Sequence, residues 1–220
     1  MPTSRLEAFS DGVLAIIITI MVLELHQPEG QHRDTLGALW STTGSSLLTY
    51  LLSFVYVGIY WTNHHHMFQV TRYVTGGVLW ANLGLLFCLS LLPFTTEWMD
   101  TTGFARTPVA TYGVNLLVAA LAYYTLQSVI IRSQGDQSTL RQAIGGDIKG
   151  RLSPWGYIVG VVAAIIGGSG SPWGRPGIWI AVICYVAMAA WWVIPDRRIE
   201  TTIVLARPDS DADADPDAEE

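Results

Sequence analysis

Apolar residues run almost unbroken through six stretches of this chain, with polar clusters between them. The stretches are Phe9 to Leu25, Leu47 to Thr62, Val78 to Thr95, Val109 to Ile131, Tyr157 to Gly170 and Ile178 to Ile194. A helix needs about 20 mostly apolar residues to cross a bilayer, because lipid cannot hydrogen-bond free backbone groups. The pattern therefore predicts an all-α integral membrane protein with six transmembrane helices per subunit. The first, second and fifth stretches are short, which points to tilting, local thinning of the bilayer or shielding inside an assembly. Pro154 and Pro176 stand where the last two helices are expected to begin. No internal repeat is evident, so any symmetry has to come from oligomerisation.

The first stretch holds an unusual combination. Asp11 sits at the mouth of an apolar run, Val13 to Leu23, whose one polar side chain is Thr19. An ionisable group facing lipid costs roughly 2.5–3.5 kcal/mol even on lenient insertion scales, so Asp11 needs a protein partner or water and is a functional candidate. On a helix Gly12, Ile16, Ile20 and Leu23 fall on one face, with Thr19 beside Ile16 and Ile20. That face is either a lipid-facing or packing stripe, or, if several copies meet around an axis, a narrow apolar constriction with hydroxyls beside it. Periodicity alone does not choose between these.

Composition supports a membrane protein over a soluble domain: 220 residues, 50% hydrophobic and 14% charged, with a mean hydropathy of +0.36. The net charge of −6 comes from the end of the chain, whose last twelve residues, DSDADADPDAEE, carry seven acids and no base. Residues 1–198 are read as one six-helix domain and 199–220 as an acidic cytoplasmic tail too polar to fold. Cys88 and Cys184 lie inside apolar runs, where thiols behave as small hydrophobes, and no disulfide framework is expected. The N-terminus lacks the features of a cleavable signal, so the first stretch is read as a retained span.

Lys and Arg set the orientation. With a cytoplasmic N-terminus, the inner segments hold Arg5, Arg72, Arg132, Arg141, Lys149, Arg151, Arg197, Arg198 and Arg207, and the outer loops only Arg33, Arg106 and Arg175. Both termini are therefore expected in the cytoplasm. Gly156, Gly160, Ala164 and Gly168, four residues apart, form a ridge that lets another helix approach.

Chemical motifs are few. Three consecutive histidines, His64 to His66, point about 100° apart on a helix and cannot chelate one ion, so no metal site is expected. No spacing of the HExxH kind or clustered carboxylates marks a hydrolase, and no enzyme activity, cofactor or nucleic-acid partner is expected. Thr111-Tyr112-Gly113 is only a faint echo of the TVGYG filter and opens a full span.

The pattern Arg5, three residues, Phe9-Ser10-Asp11 and an Ile/Leu-rich helix resembles the signature of the transmembrane protein 175 family of potassium channels. Asn63-His64-His65, Asn82-Leu83 and Ser90-Leu91-Leu92-Pro93-Phe94 follow in the family's order. The resemblance implies one six-helix repeat in a homo-oligomeric assembly, a tetramer, in a prokaryote-type plasma membrane, conducting potassium. It places the constriction at Ile16, Ile20 and Leu23, with Ile16 narrowest, and a polar selectivity layer at Thr19. It also implies a structural and gating network around a Phe9-Ser10-Asp11 turn, with Arg5, Asn63 and His64 or His65 as partners. An ion-coupled transporter using Asp11 as its coupling site is the alternative.

Overall fold

A computed structural model describes residues 2–27, 34–135, 138, 140–141, 148–167 and 174–193. Among these the secondary structure is helical, with no strand. The helices are α1 (Thr3–Leu23), α2 (Leu36–Gln69), α3 (Gly76–Ser90), α4 (Leu92–Thr101), α5 (Arg106–Gln134), α6 (Ile148–Ile166) and α7 (Gly174–Val193). Taken together, α3 and α4 make a single apolar span, Gly76–Thr101, and five helices are long and apolar enough to cross a membrane. The sixth, within α6, is the shorter apolar helix Leu152–Ile166. The proposed 198/199 domain boundary, Gly168, the acidic tail and Arg33, Arg197, Arg198 and Arg207 of the orientation argument lie outside the described residues.

Helix ends differ from the hydropathy reading for local reasons. The first helix starts at Thr3, because Leu6, Glu7 and Ala8 are good helix formers. Phe9, Ser10 and Asp11 therefore lie inside the helix, and the expected turn is not formed. In α2, Thr35 caps the N-terminus by accepting the Ala38 N–H at 3.1 Å, and the helix runs 34 residues. That is roughly 50 Å, well beyond a hydrocarbon core of about 30 Å, and hydropathy sees only the apolar middle. Leu91 interrupts the third span: Pro93 has no N–H to donate, and the chain tightens there with Leu91 N donating to Cys88 O. Pro154 does not open α6 but sits inside it. Gly135 ends α5 at φ 66° and ψ −146°, a conformation that glycine alone adopts freely.

Packing is densest where α6 lies between α5 and α7 and where α5 meets α3. Here the small-residue ridge is used. A Cβ on Gly160 would fall 2.5 Å from the Tyr185 ring, and one on Gly156 2.5 Å from Met188 Sδ. Tyr185 is buried and receives the Tyr56 hydroxyl on its carbonyl at 2.6 Å, tying α2 to α7. Ser53 joins Thr96 (2.7 Å) and Tyr112 (3.0 Å), linking α2, α4 and α5. Helix α1 stands at the side of this core, resting chiefly on α2 and α3 and more lightly on α4.

Candidate functional site

The buried residues of α1 are Leu6, Ser10, Leu14, Ile17 and Met21, three or four apart and so on one stripe. The opposite face has no cover: Ile16 is 58% exposed, Ile20 42% and Leu23 78%, against 2% for Leu14. Gly12 and Thr19 are exposed on the same side. Thr19 Oγ1 donates to Ile16 O at 2.9 Å, so its proton is spent on its own helix and its lone pairs are left for the surroundings.

Toward its N-terminal half, α1 is held by a directional polar chain. His64 Nε2 donates to Asn82 Oδ1 at 2.8 Å, Asn82 Nδ2 donates to Ser10 Oγ at 2.9 Å, and Ser10 Oγ donates to Leu6 O at 2.9 Å. His64, Asn82 and Ser10 are all buried, which makes each bond costly to lose. The His64 ring packs on Phe68 with centroids 4.5 Å apart, and its Nδ1 has no hydrogen-bond partner among the described residues. This is a three-helix clasp, α2 to α3 to α1.

The remaining motif residues go elsewhere. Asp11 Oδ1 accepts from Trp61 Nε1 at 3.0 Å, so the acid's partner is an indole and not Arg5 or a histidine. Arg5 is exposed and makes no side-chain bond among the described residues. His65 Nδ1 meets Glu7 Oε1 at 2.5 Å, while its Nε2 accepts from Gln69 Nε2 at 2.8 Å. The Asn63 side chain donates to Ile59 O at 2.8 Å, within its own helix. Phe9 is exposed. The structure thus joins Ser10 to His64 and gives Asp11 and His65 partners on the facing helix, but leaves Arg5, Asn63 and Phe9 outside the clasp of a single chain. Sequence reasoning missed Asn82, Trp61 and Glu7. Asn82 carried a signal: a carboxamide in an apolar run must find a partner once buried.

At the other end of α1, Glu24 lies in a cleft with Glu97, Asp100, Ser46 and Thr49. Ser46 Oγ donates to Asp100 Oδ2 at 2.5 Å. Partial burial, then the neighbouring Glu97 charge and a hydrogen bond with that carboxyl, push the Glu24 carboxyl above its usual range, with His26 opposing.

Residues 5–93, from Arg5 through the start of α4, match the family described as "Endosomal/lysosomal potassium channel TMEM175". A potassium channel of Chryseobacterium sp. (strain P1-3) is 48% identical over 203 residues, covering 92% of this chain and 98% of that protein. The chain belongs to the TMEM175 family. Its fold is similar to the crystal structure of a lysosomal potassium-selective channel TMEM175 homolog from Chamaesiphon minutus, with a TM-score of 0.69 and 27% identity, covering 87% of this chain and 96% of that one. The human endosomal/lysosomal proton channel TMEM175 is 36% identical over 117 residues, 47% of this chain and 22% of that longer protein. As a TMEM175 member the protein is a multi-pass membrane protein of an ion-channel family, not an enzyme.

Proposed function

We propose that this TMEM175 member is a potassium-preferring cation channel of the plasma membrane, a homotetramer whose pore is lined by α1 of each subunit, with both termini cytoplasmic. The observation that carries the reading is the one-sidedness of α1: one face is locked onto α2 and α3, and the face holding Ile16, Thr19, Ile20 and Leu23 is free. Four such faces around an axis make rings of Ile16, Ile20 and Leu23, a constriction that excludes water and gates by dewetting. The four Thr19 oxygens, their protons turned to Ile16 O, offer acceptors to an ion shedding hydration. Potassium as the permeant ion is supported by relatives from Chryseobacterium and Streptomyces collinus, each called a potassium channel.

Cysteine accessibility tests the pore assignment. In a background with Cys88 and Cys184 replaced, Ile16→Cys, Ile20→Cys and Leu23→Cys should each let a charged thiol reagent block the current. Cysteines at Leu14 or Ile17, on the buried stripe, should be far less sensitive. Equal insensitivity at all five positions would show that α1 faces lipid or a neighbouring subunit instead.

A further inference from the structure

A cavity opens between α2, α5, α6 and α7, and no residue of α1 contributes to its wall. Its lining is dominated by aromatic rings from all four helices, Tyr56, Tyr60, Tyr123, Tyr157 and Trp192 among them, and among the described residues includes no charged side chain. Most polar groups on the wall are already spent. Ser153 Oγ donates to Lys149 O at 2.6 Å and accepts from Trp192 Nε1 at 2.7 Å, and the Tyr123 hydroxyl donates to Asn63 O at 3.3 Å.

Gln127 is left unpaired, as the Tyr60 and Tyr124 hydroxyls are, among the described residues. It lines the cavity, is only 7% exposed, and its amide makes no hydrogen bond among the described residues. A carboxamide brings two donors and an acceptor, and those of Gln127 open onto the cavity rather than being sealed in packed protein. The Asn63 side-chain oxygen, on the same wall, is likewise unbonded, because only its Nδ2 is used, toward Ile59 O. An apolar, aromatic pocket with a few convergent polar groups is the usual form of a small-molecule site.

We propose that this cavity binds a neutral amphiphile, with an alkyl or aromatic body against the rings and a head that both donates and accepts, such as an alcohol or amide, against Gln127 and Asn63. Neutrality follows from the wall: among the described residues neither carboxylate nor base lines it to compensate a full charge leaving water. The site is separate from the conduction path proposed above and stands or falls independently of it.

The test uses the full-length protein in nanodiscs with radiolabelled 1-octanoylglycerol as probe. Saturable binding near one probe per chain is expected. Gln127→Leu, which keeps the bulk and removes the amide, should weaken it about tenfold without lowering the melting temperature of the probe-free protein. Ala120→Trp, which fills the cavity from α5, should abolish saturable binding; if that variant misfolds, the Gln127→Leu comparison alone decides. Octanoate and octyltrimethylammonium should bind at least tenfold more weakly than the neutral probe. Absence of saturable binding would show that Gln127 is served by water only, and unchanged affinity in Gln127→Leu would place the probe elsewhere. Tighter binding of the ammonium compound would make the cavity an aromatic cage for cations and overturn the neutral assignment.

Discussion

Asn82 is the residue on which the inner clasp depends, because it bonds to both His64 and Ser10. Asn82→Leu leaves a buried imidazole N–H without an acceptor and a buried hydroxyl without its donor. Unmet buried groups cost about 1–3 kcal/mol each, so a loss of about 2–4 kcal/mol is expected, read as a lower melting temperature of the solubilised protein. Ser10→Ala should cost less, since Leu6 O stays within its helix and only the Asn82 donor is stranded. Equal melting temperatures for wild type and Asn82→Leu would mean that the clasp does not hold α1. Asp11 is a milder case than its place in the sequence implies. Its bond to Trp61 is exposed, so Trp61→Phe is expected to cost under about 1 kcal/mol and to act mainly on gating. Which residues form this site was only partly legible beforehand. Ser10 and His64 stood in recognisable motifs, but the choice among three consecutive histidines depends on where the α3 carboxamide lies, a long-range fact that no local pattern contains.

At the scale of elements, the ridge on α6 was readable from spacing alone, because small residues four apart have one use in a lipid-embedded helix. Its consequences are graded by what each glycine meets. Gly160→Ala drives a methyl into the buried, rigid Tyr185 ring and should cost about 1–3 kcal/mol, whereas Gly156→Ala meets the flexible end of Met188 and should cost clearly less. Thermal unfolding of the two variants checks the order, and a reversed order would contradict the packing. Helix ends were less legible. Hydropathy stops where polarity begins, yet Thr35 caps α2 twelve positions before the second apolar run begins at Leu47, and Pro93 merely breaks a span that continues to Thr101. The junction of α1 with α4 carries a pH dependence. The Glu24 carboxyl lies above its ordinary value of 4.5, so the folded state holds its proton to higher pH than the unfolded chain does. Stability from this pair is therefore present at low pH and falls as pH rises through the raised window above 4.5. The melting temperature of the wild type should decline over that window, and Glu97→Gln should flatten the decline. Identical slopes would show that Glu97 does not raise the Glu24 carboxyl.

For the whole molecule, the six-span architecture was legible because lipid enforces it, whereas assembly was not, since an uncovered apolar face looks the same in one chain whether lipid or a symmetry axis lies beyond it. The residual acidity sits in the last twelve residues, with no apolar anchor. Truncation after Pro208 should leave oligomer size, by light scattering of the detergent complex, and ion selectivity unchanged; loss of assembly would show that this segment packs. The central claim, that α1 faces surround the ion path, is tested most directly by reversal potentials under bi-ionic K⁺/Na⁺ conditions for the wild type, Ile16→Asn and Thr19→Val. The account predicts a potassium preference in the wild type. In Ile16→Asn a polar ring wets the constriction, so leak rises and preference falls. In Thr19→Val the loss of the hydroxyl oxygen lowers the preference without a comparable rise in leak. Reversal potentials identical to the wild type in both variants would contradict the account.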